Sequence, residues 1–204
     1  MKRTLLAVLL LALLQSGPAI AETVDEEEGR GVARISILNG DVSVRRSDTG
    51  DWVAAAVNAP VIVPDTIYSG ASSRAEVQLD YANMIRLAAN TEVRFTELEY
   101  RRYQLQIAQG TVTYSVLRDS NADVDLSTPN VSVRPYRKGR YRITVTPDGT
   151  TEVTVRDGAA EIYTPNGVES LREGKTMLVR GSAGSPEFRI ASAITFGAAL
   201  IFLY

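Results

Sequence analysis

The stretch SRAEVQLDYANMIRLAANTEVRF, residues 73–95, decides the fold. Val77 and Leu79 alternate with Glu76, Gln78 and Asp80. Ile85 and Leu87 alternate with Met84 and Arg86, and Val93 and Phe95 flank Arg94. Strict alternation of apolar and polar residues puts one side of a pleated strand in a core and the other in water. Tyr81-Ala82-Asn83 and Ala89-Asn90-Thr91 fall where the chain must reverse, and Asn tolerates the left-handed backbone of a tight turn. The stretch therefore predicts three short strands and two turns. Leu79, Ile85 and Leu87 face inward and Glu76 faces water.

The same pattern extends both ways. Upstream, Ile35 and Ile37 alternate with Arg34 and Ser36. Asn39-Gly40-Asp41 predicts a hairpin into Val42 and Val44, because Asn-Gly accepts the positive φ of a type I′ turn. Trp52, the sole Trp, follows the loop 48–51. A buried plug under that loop is the expectation, with an exposed stacking platform for a sugar as the alternative. Downstream, Leu105 and Ile107 lead to Gln109-Gly110, and Val112, Tyr114 and Val116 point one way. Val124 and Leu126, Val131 and Val133, Tyr141, Ile143 and Val145, then Val153 and Val155 repeat the theme. The last convincing strand runs from Met177 to Arg180. Turn signals recur every ~8–15 residues without helical periodicity, which predicts an all-β antiparallel two-sheet sandwich or a twisted β-solenoid of many short strands. Gly40, Gly110 and Gly158 each stand just before an alternating strand, a faint echo that fits solenoid coils.

The N-terminus reads differently. Lys2 and Arg3, the apolar run from Thr4 to Leu14, and Ala19-Ile20-Ala21 form a secretory signal peptide over residues 1–21, cleaved after Ala21. The apolar run is short of the ~20 residues that a membrane span needs. Residues 22–31, with Asp25, Glu26, Glu27 and Glu28 in a row, read as an acidic flexible tether. Residues 32–181 form the β domain, and 182–204 are a linker and a short apolar segment. Ile190 to Tyr204 carries no charge, and three fates fit it: docking on the sheet, weak membrane contact, or an altered chain end.

The chain has 22 Lys and Arg against 24 Asp and Glu. Without Lys2 and Arg3 the mature net charge is −4, which argues against a polyanion binder acting through overall charge. Cys and His are both 0. An exported chain without Cys is held by its core alone. Lack of His removes the commonest general base, the Ser-His and Cys-His pairs, and nearly all zinc sites. No cofactor, metal or catalytic residue is expected.

Several motifs resemble the FecR-like domain family. They begin with Gly40-Asp41-Val42, Trp52, Asp65 and Ser69-Gly70, then Ser73 to Val77 and Met84 to Leu87 with Asn90-Thr91. They continue with Gln109 to Val112, Thr128-Pro129, Pro135, Gly139-Arg140-Tyr141, Val153 to Ile162 around Gly158, and Gly174. Pro64 stands where a Gly usually precedes the Asp, and Ala82-Asn83 replaces the usual Asp-Gly turn. The resemblance implies an all-β periplasmic module. Its best-known members are anti-sigma regulators in which the domain senses an outer-membrane transporter, behind a cytoplasmic helical domain and a spanning helix. With a signal peptide in their place, the expectation here is a periplasmic or secreted, non-catalytic interaction module, without the sigma-regulating activity.

The densest basic and aromatic segment is Arg134 to Arg142. Arg137, Lys138, Arg140 and Arg142 are the candidate anion or partner site. Export excludes nucleic acid and points to an envelope protein or an anionic envelope component. A structural envelope protein without a ligand is the second reading. The third is a periplasmic glycan hydrolase, because Glu97 and Glu99 share a strand and paired carboxylates cut glycosidic bonds.

Overall fold

The computed structural model describes residues 31–181 and 184–192. The expected signal peptide, the expected tether up to Arg30 and residues 193–204 lie outside them. The described chain is all-β and makes two sheets that share one long strand. Sheet I has the neighbour order β4 (Pro60–Val61), β1 (Ala33–Asn39), β6 (Arg74–Gln78), β7 (Asn83–Leu87), the second half of β9 (Arg102–Val116), β12 (Gly139–Val145), β13 (Thr151–Asp157), β16 (Lys175–Arg180) and β17 (Glu187–Ser192). Sheet II runs β3 (Trp52–Ala54), β2 (Val42–Arg45), β5 (Thr66–Ser69), β8 (Thr91–Glu99), the first half of β9, β10 (Asp123–Ser127), β11 (Ser132–Pro135), β14 (Ala159–Thr164) and β15 (Gly167–Arg172). Every pairing is antiparallel except β9 with β10, which is parallel.

The three strands expected in 73–95 are β6, β7 and the start of β8. Leu79, Ile85, Leu87 and Val112 are all buried, and Asn90 adopts φ 53°, the left-handed turn its type favours. One contiguous core cluster takes side chains from both sheets, among them Phe95, Leu105 and Ile107 from sheet II and Tyr114, Tyr141 and Ile143 from sheet I.

Glycine corners carry the chain between sheets. Asn39-Gly40 is not the expected hairpin: β1 pairs with β4 and β6, whereas β2 pairs with β3 and β5. Gly40 keeps the predicted positive φ of 78°, and a Cβ there would lie 2.5 Å from Ser73 Oγ. Turn chemistry specified the backbone angle correctly, but at this corner the chain leaves one layer for the other. Gly110 does the same inside a strand. Residues 102–109 pair with β8 in sheet II, and 110–116 pair with β7 and β12 in sheet I. Its φ of 87° bends β9, and a Cβ would sit 2.5 Å from both Asn90 O and Thr91 Cα. Gly158 stands at the third crossing, from β13 to β14. The sequence echo therefore marks layer changes.

Four further expectations are corrected. Ile37 is 50% exposed, because a bulge between Ile35 and Ile37 shifts the register and rotates it outward. Trp52 is 46% exposed rather than a plug, because β3 is a three-residue edge strand with all its residues exposed; the indole instead meets Tyr68 edge-on and Arg45 over its face. Glu76 does leave the core face, yet only 8% of it is accessible: Arg86 Nε donates to Oε2 at 2.6 Å and Ser36 Oγ donates to Oε1 at 2.9 Å. Neighbours on a broad sheet cover a short carboxylate that parity alone leaves in water. Finally, the sheet continues past Gly181, since Glu187–Ser192 pairs with β16 as an edge strand. Docking is thus the fate of Ile190 to Ser192.

Leu87→Ala should cost about 2–5 kcal/mol in a denaturant melt, from the cavity it leaves. Glu76→Ala should cost about 1 kcal/mol, since its partner Arg86 is half exposed. Gly110→Ala should cost at least about 2 kcal/mol, from strain plus contact with Thr91. Gly149→Ala, at φ 79° with open space around it, should cost only about 1 kcal/mol. Equal costs at the two glycines would refute the layer-crossing role of Gly110.

Candidate functional site

Two connections cross side by side from sheet to sheet at one end of the sandwich. Residues 117–122 lead from β9 in sheet I to β10 in sheet II, and 136–138 return from β11 to β12. Gly139 pairs with Val116, and Leu126 with Val133, so the crossings are neighbours at both ends. Between them lies a cleft of about 850 Å³. Its size falls in the roughly 300–1,000 Å³ range of small-ligand sites.

Two core tyrosines, opposite each other in register, fix the two crossings. Tyr114 and Tyr141 lie with ring centroids 6.3 Å apart. Tyr114 OH donates to Asn83 Oδ1 at 2.5 Å, and Asn83 Nδ2 donates to Ser120 Oγ at 3.0 Å, which ties down the first crossing. Tyr141 OH donates to Arg137 O at 2.5 Å and accepts from the Ala159 N–H at 3.2 Å, which ties down the second. A buried phenol needs a polar partner, and here each partner is a cleft residue or touches one.

Asp80 anchors the first set from below. Its Oδ1 accepts from the backbone N–H of Ala82 and of Asn83, both at 2.6 Å, and its Oδ2 accepts from Asn83 Nδ2 and Tyr103 OH, both at 2.8 Å. Burial pushes its carboxyl up, but the hydrogen bonds from Asn83, Ala82 and Tyr103 outweigh it and hold the group below the ordinary Asp value. Burial, reinforced by Asp80, pushes the Tyr103 and Tyr114 phenols up, so both stay protonated donors. The Ala82-Asn83 turn is thus a hydrogen-bond hub rather than a simple reversal.

The cleft residues carry charge of both signs. Asp119 and Asp123 border the first crossing, with Asn121 between them; Tyr136, Arg137 and Lys138 form the second. All six are exposed. Other cleft charges are already engaged. Arg134 Nε donates to Asp125 at 3.0 Å and its guanidinium lies 4.4 Å over the Tyr163 ring, while Tyr163 OH donates to Glu161 at 2.8 Å.

The basic cluster predicted from sequence is divided. Arg137 and Lys138 line the cleft. Arg140 and Arg142 point away from the core on β12, with Tyr141 inward between them, so they sit on the outer face of sheet I. Arg140 is tied to Asp157 at 2.8 Å. Sequence proximity misled because the segment spans a layer crossing. Glu97 and Glu99 both pair with Arg102, at 3.1 and 3.3 Å, at a place apart from the cleft. Among the described residues no three His, Cys, Asp or Glu gather as a metal set. Asp119, Asn121 and Asp123 are cleft residues that the sequence reading did not single out. The available signal was Tyr103 and Tyr114 at inward positions, which require polar partners nearby.

Asp80 should make stability pH-dependent. A carboxyl held low in the folded state contributes stability that is present above its unfolded value, near 3.8, and lost as pH falls through the lower folded one. Asp80→Asn should be less stable than wild type at neutral pH, and the gap should narrow in acid below about pH 4. A gap constant from pH 7 to 2.5 would remove this role.

Residues 65–161 match the family described as FecR protein. The match starts at Asp65, whose wholly buried carboxylate pairs with Arg46 at 2.6 Å, and it contains every cleft residue named above except Tyr163. No curated protein matches the chain. The fold is similar to two crystal structures of a candidate anti-sigma factor from Parabacteroides distasonis, 22% and 21% identical, each with a TM-score of 0.54. The likeness covers 66% of this chain and 63% and 64% of those chains, so the chain spans somewhat less than two thirds of their length. At that identity it concerns the fold alone. Over residues 65–161, somewhat less than half of its length, this all-β chain is therefore similar to the FecR protein family.

Proposed function

We propose that the chain is a non-catalytic, exported interaction and sensing module of the bacterial cell envelope. It binds an envelope protein or an anionic envelope component through the cleft between the two crossings. The observation that carries the reading is the pinning of both crossings by Tyr114 and Tyr141. Loops held by core side chains present their exposed groups in fixed positions, which lowers the ordering cost of binding. The FecR-family match supports a sensing role. The tripartite N-terminus supports export to the periplasm or beyond.

Mass spectrometry of the protein from envelope fractions should find Glu22 as the first residue. An intact Met1 there would refute cleavage after Ala21. Crosslinking in intact envelopes followed by pull-down should capture a partner, more efficiently at low salt, because exposed charges are screened over about 8–10 Å near physiological ionic strength. Arg137→Gln with Lys138→Gln should weaken capture, and Arg140→Gln with Arg142→Gln should weaken it less. Neither pair should move the melt by more than about 0.5 kcal/mol. Capture insensitive to both pairs would exclude the basic segment as the partner surface.

A further inference from the structure

The distribution of charge around the cleft is more specific than a basic patch. Asp119 and Asp123 stand at one crossing, Arg137 and Lys138 at the other, and no ion pair joins the two crossings among the described residues. Of the other cleft charges, Arg134 is paired with Asp125, and Glu161 accepts a hydrogen bond from Tyr163 at the far wall. Two carboxylates and two cations thus line the same space without pairing with each other. A purely anionic ligand would be drawn by Arg137 and Lys138 but repelled by Asp119 and Asp123. A neutral ligand could accept or donate hydrogen bonds here but would form no ion pair with either side.

We infer that the cleft binds a ligand with an ammonium and a carboxylate at its two ends: a short peptide with free termini. The inference rests on the cleft being the binding site proposed above and names the chemistry it recognises. The ammonium lies against Asp119 and Asp123, and the carboxylate against Arg137 and Lys138, as charge-assisted hydrogen bonds. Asn121 offers an amide donor and acceptor for the peptide groups between. Tyr136, 51% exposed beside Arg137, offers an apolar face to a side chain. Arg137 cannot swing far from the cleft at its backbone, because its carbonyl is held by Tyr141.

The test uses the purified protein and four forms of tetra-alanine: free, N-acetylated, C-amidated and blocked at both ends. Binding is read by NMR shift titration. The free form should bind best, each single block should weaken it about tenfold, and the doubly blocked form should bind weakest. Arg137→Gln with Lys138→Gln should weaken the free peptide about as much as amidation does, while leaving the affinity for the amidated peptide unchanged. Asp119→Asn with Asp123→Asn should show the mirror pattern with acetylation. All four residues are exposed, so unchanged melts are expected for both variants. Equal affinity for all four forms would overturn the inference. So would tighter binding of a neutral oligosaccharide of N-acetylglucosamine than of any peptide form. If no tetrapeptide binds while envelope capture still depends on Arg137 and Lys138, the inference falls and the wider interaction reading stands.

Discussion

The structure depends on one constraint: a single strand must belong to both sheets. β9 lends its first half to sheet II and its second half to sheet I, and the bend at Gly110 makes that possible. On one side of it lie the N-terminal strands of both layers; on the other lie the C-terminal ones. A side chain at Gly110 would strike the Asn90–Thr91 turn, so the corner and the β7–β8 turn are mutually fitted. Thr91 Oγ1 completes the fit by accepting the Thr111 N–H at 2.9 Å.

The local periodicity of the chain was legible and its layer assignment was not. Alternation in 73–95 and at 141–145 located strands and inward residues, because burial on one face of a pleat is a property of neighbouring positions in sequence. Which sheet a strand joins is a property of distant partners. Asn39-Gly40 carries the signature of a hairpin and of a layer corner alike, since both need positive φ. Glu76 and Trp52 failed for a related reason. Parity states the direction of a side chain but not how far its neighbours rise around it: Glu76 sits within a nine-strand sheet, whereas Trp52 sits on a short edge. Edge strands leave even large aromatics partly in water.

The same distinction explains the candidate site. Residues 134–142 form one dense basic segment in sequence, but Pro135 ends a strand of sheet II and Gly139 begins one of sheet I. Four cations close in sequence are therefore shared between an end of the sandwich and an outer face. Conversely, Asp119 and Asp123 line the same cleft as Arg137 and Lys138 because β9 pairs with β10 in one sheet and with β12 in the other. Because β10 runs parallel to the first half of β9, residues 117–122 must carry the chain from Val116 in sheet I to a start beside Arg102 in sheet II, and that crossing walls the cleft.

Why the cleft is held open follows from the tyrosine pair. Tyr114 and Tyr141 are neighbours in register within the core, yet their hydroxyls serve different crossings. Had both bonded to one loop, the other would be fixed only by its ends. Each crossing is instead tied to the same rigid pair of rings, so the distance between the crossings is set by core packing rather than by contact between the crossings themselves. Opposite charges on two mobile loops would collapse toward each other into ion pairs. Held apart by buried phenols, with Asp80 accepting from Asn83 and the Ala159 N–H donating to Tyr141 behind them, they stay available to a third party.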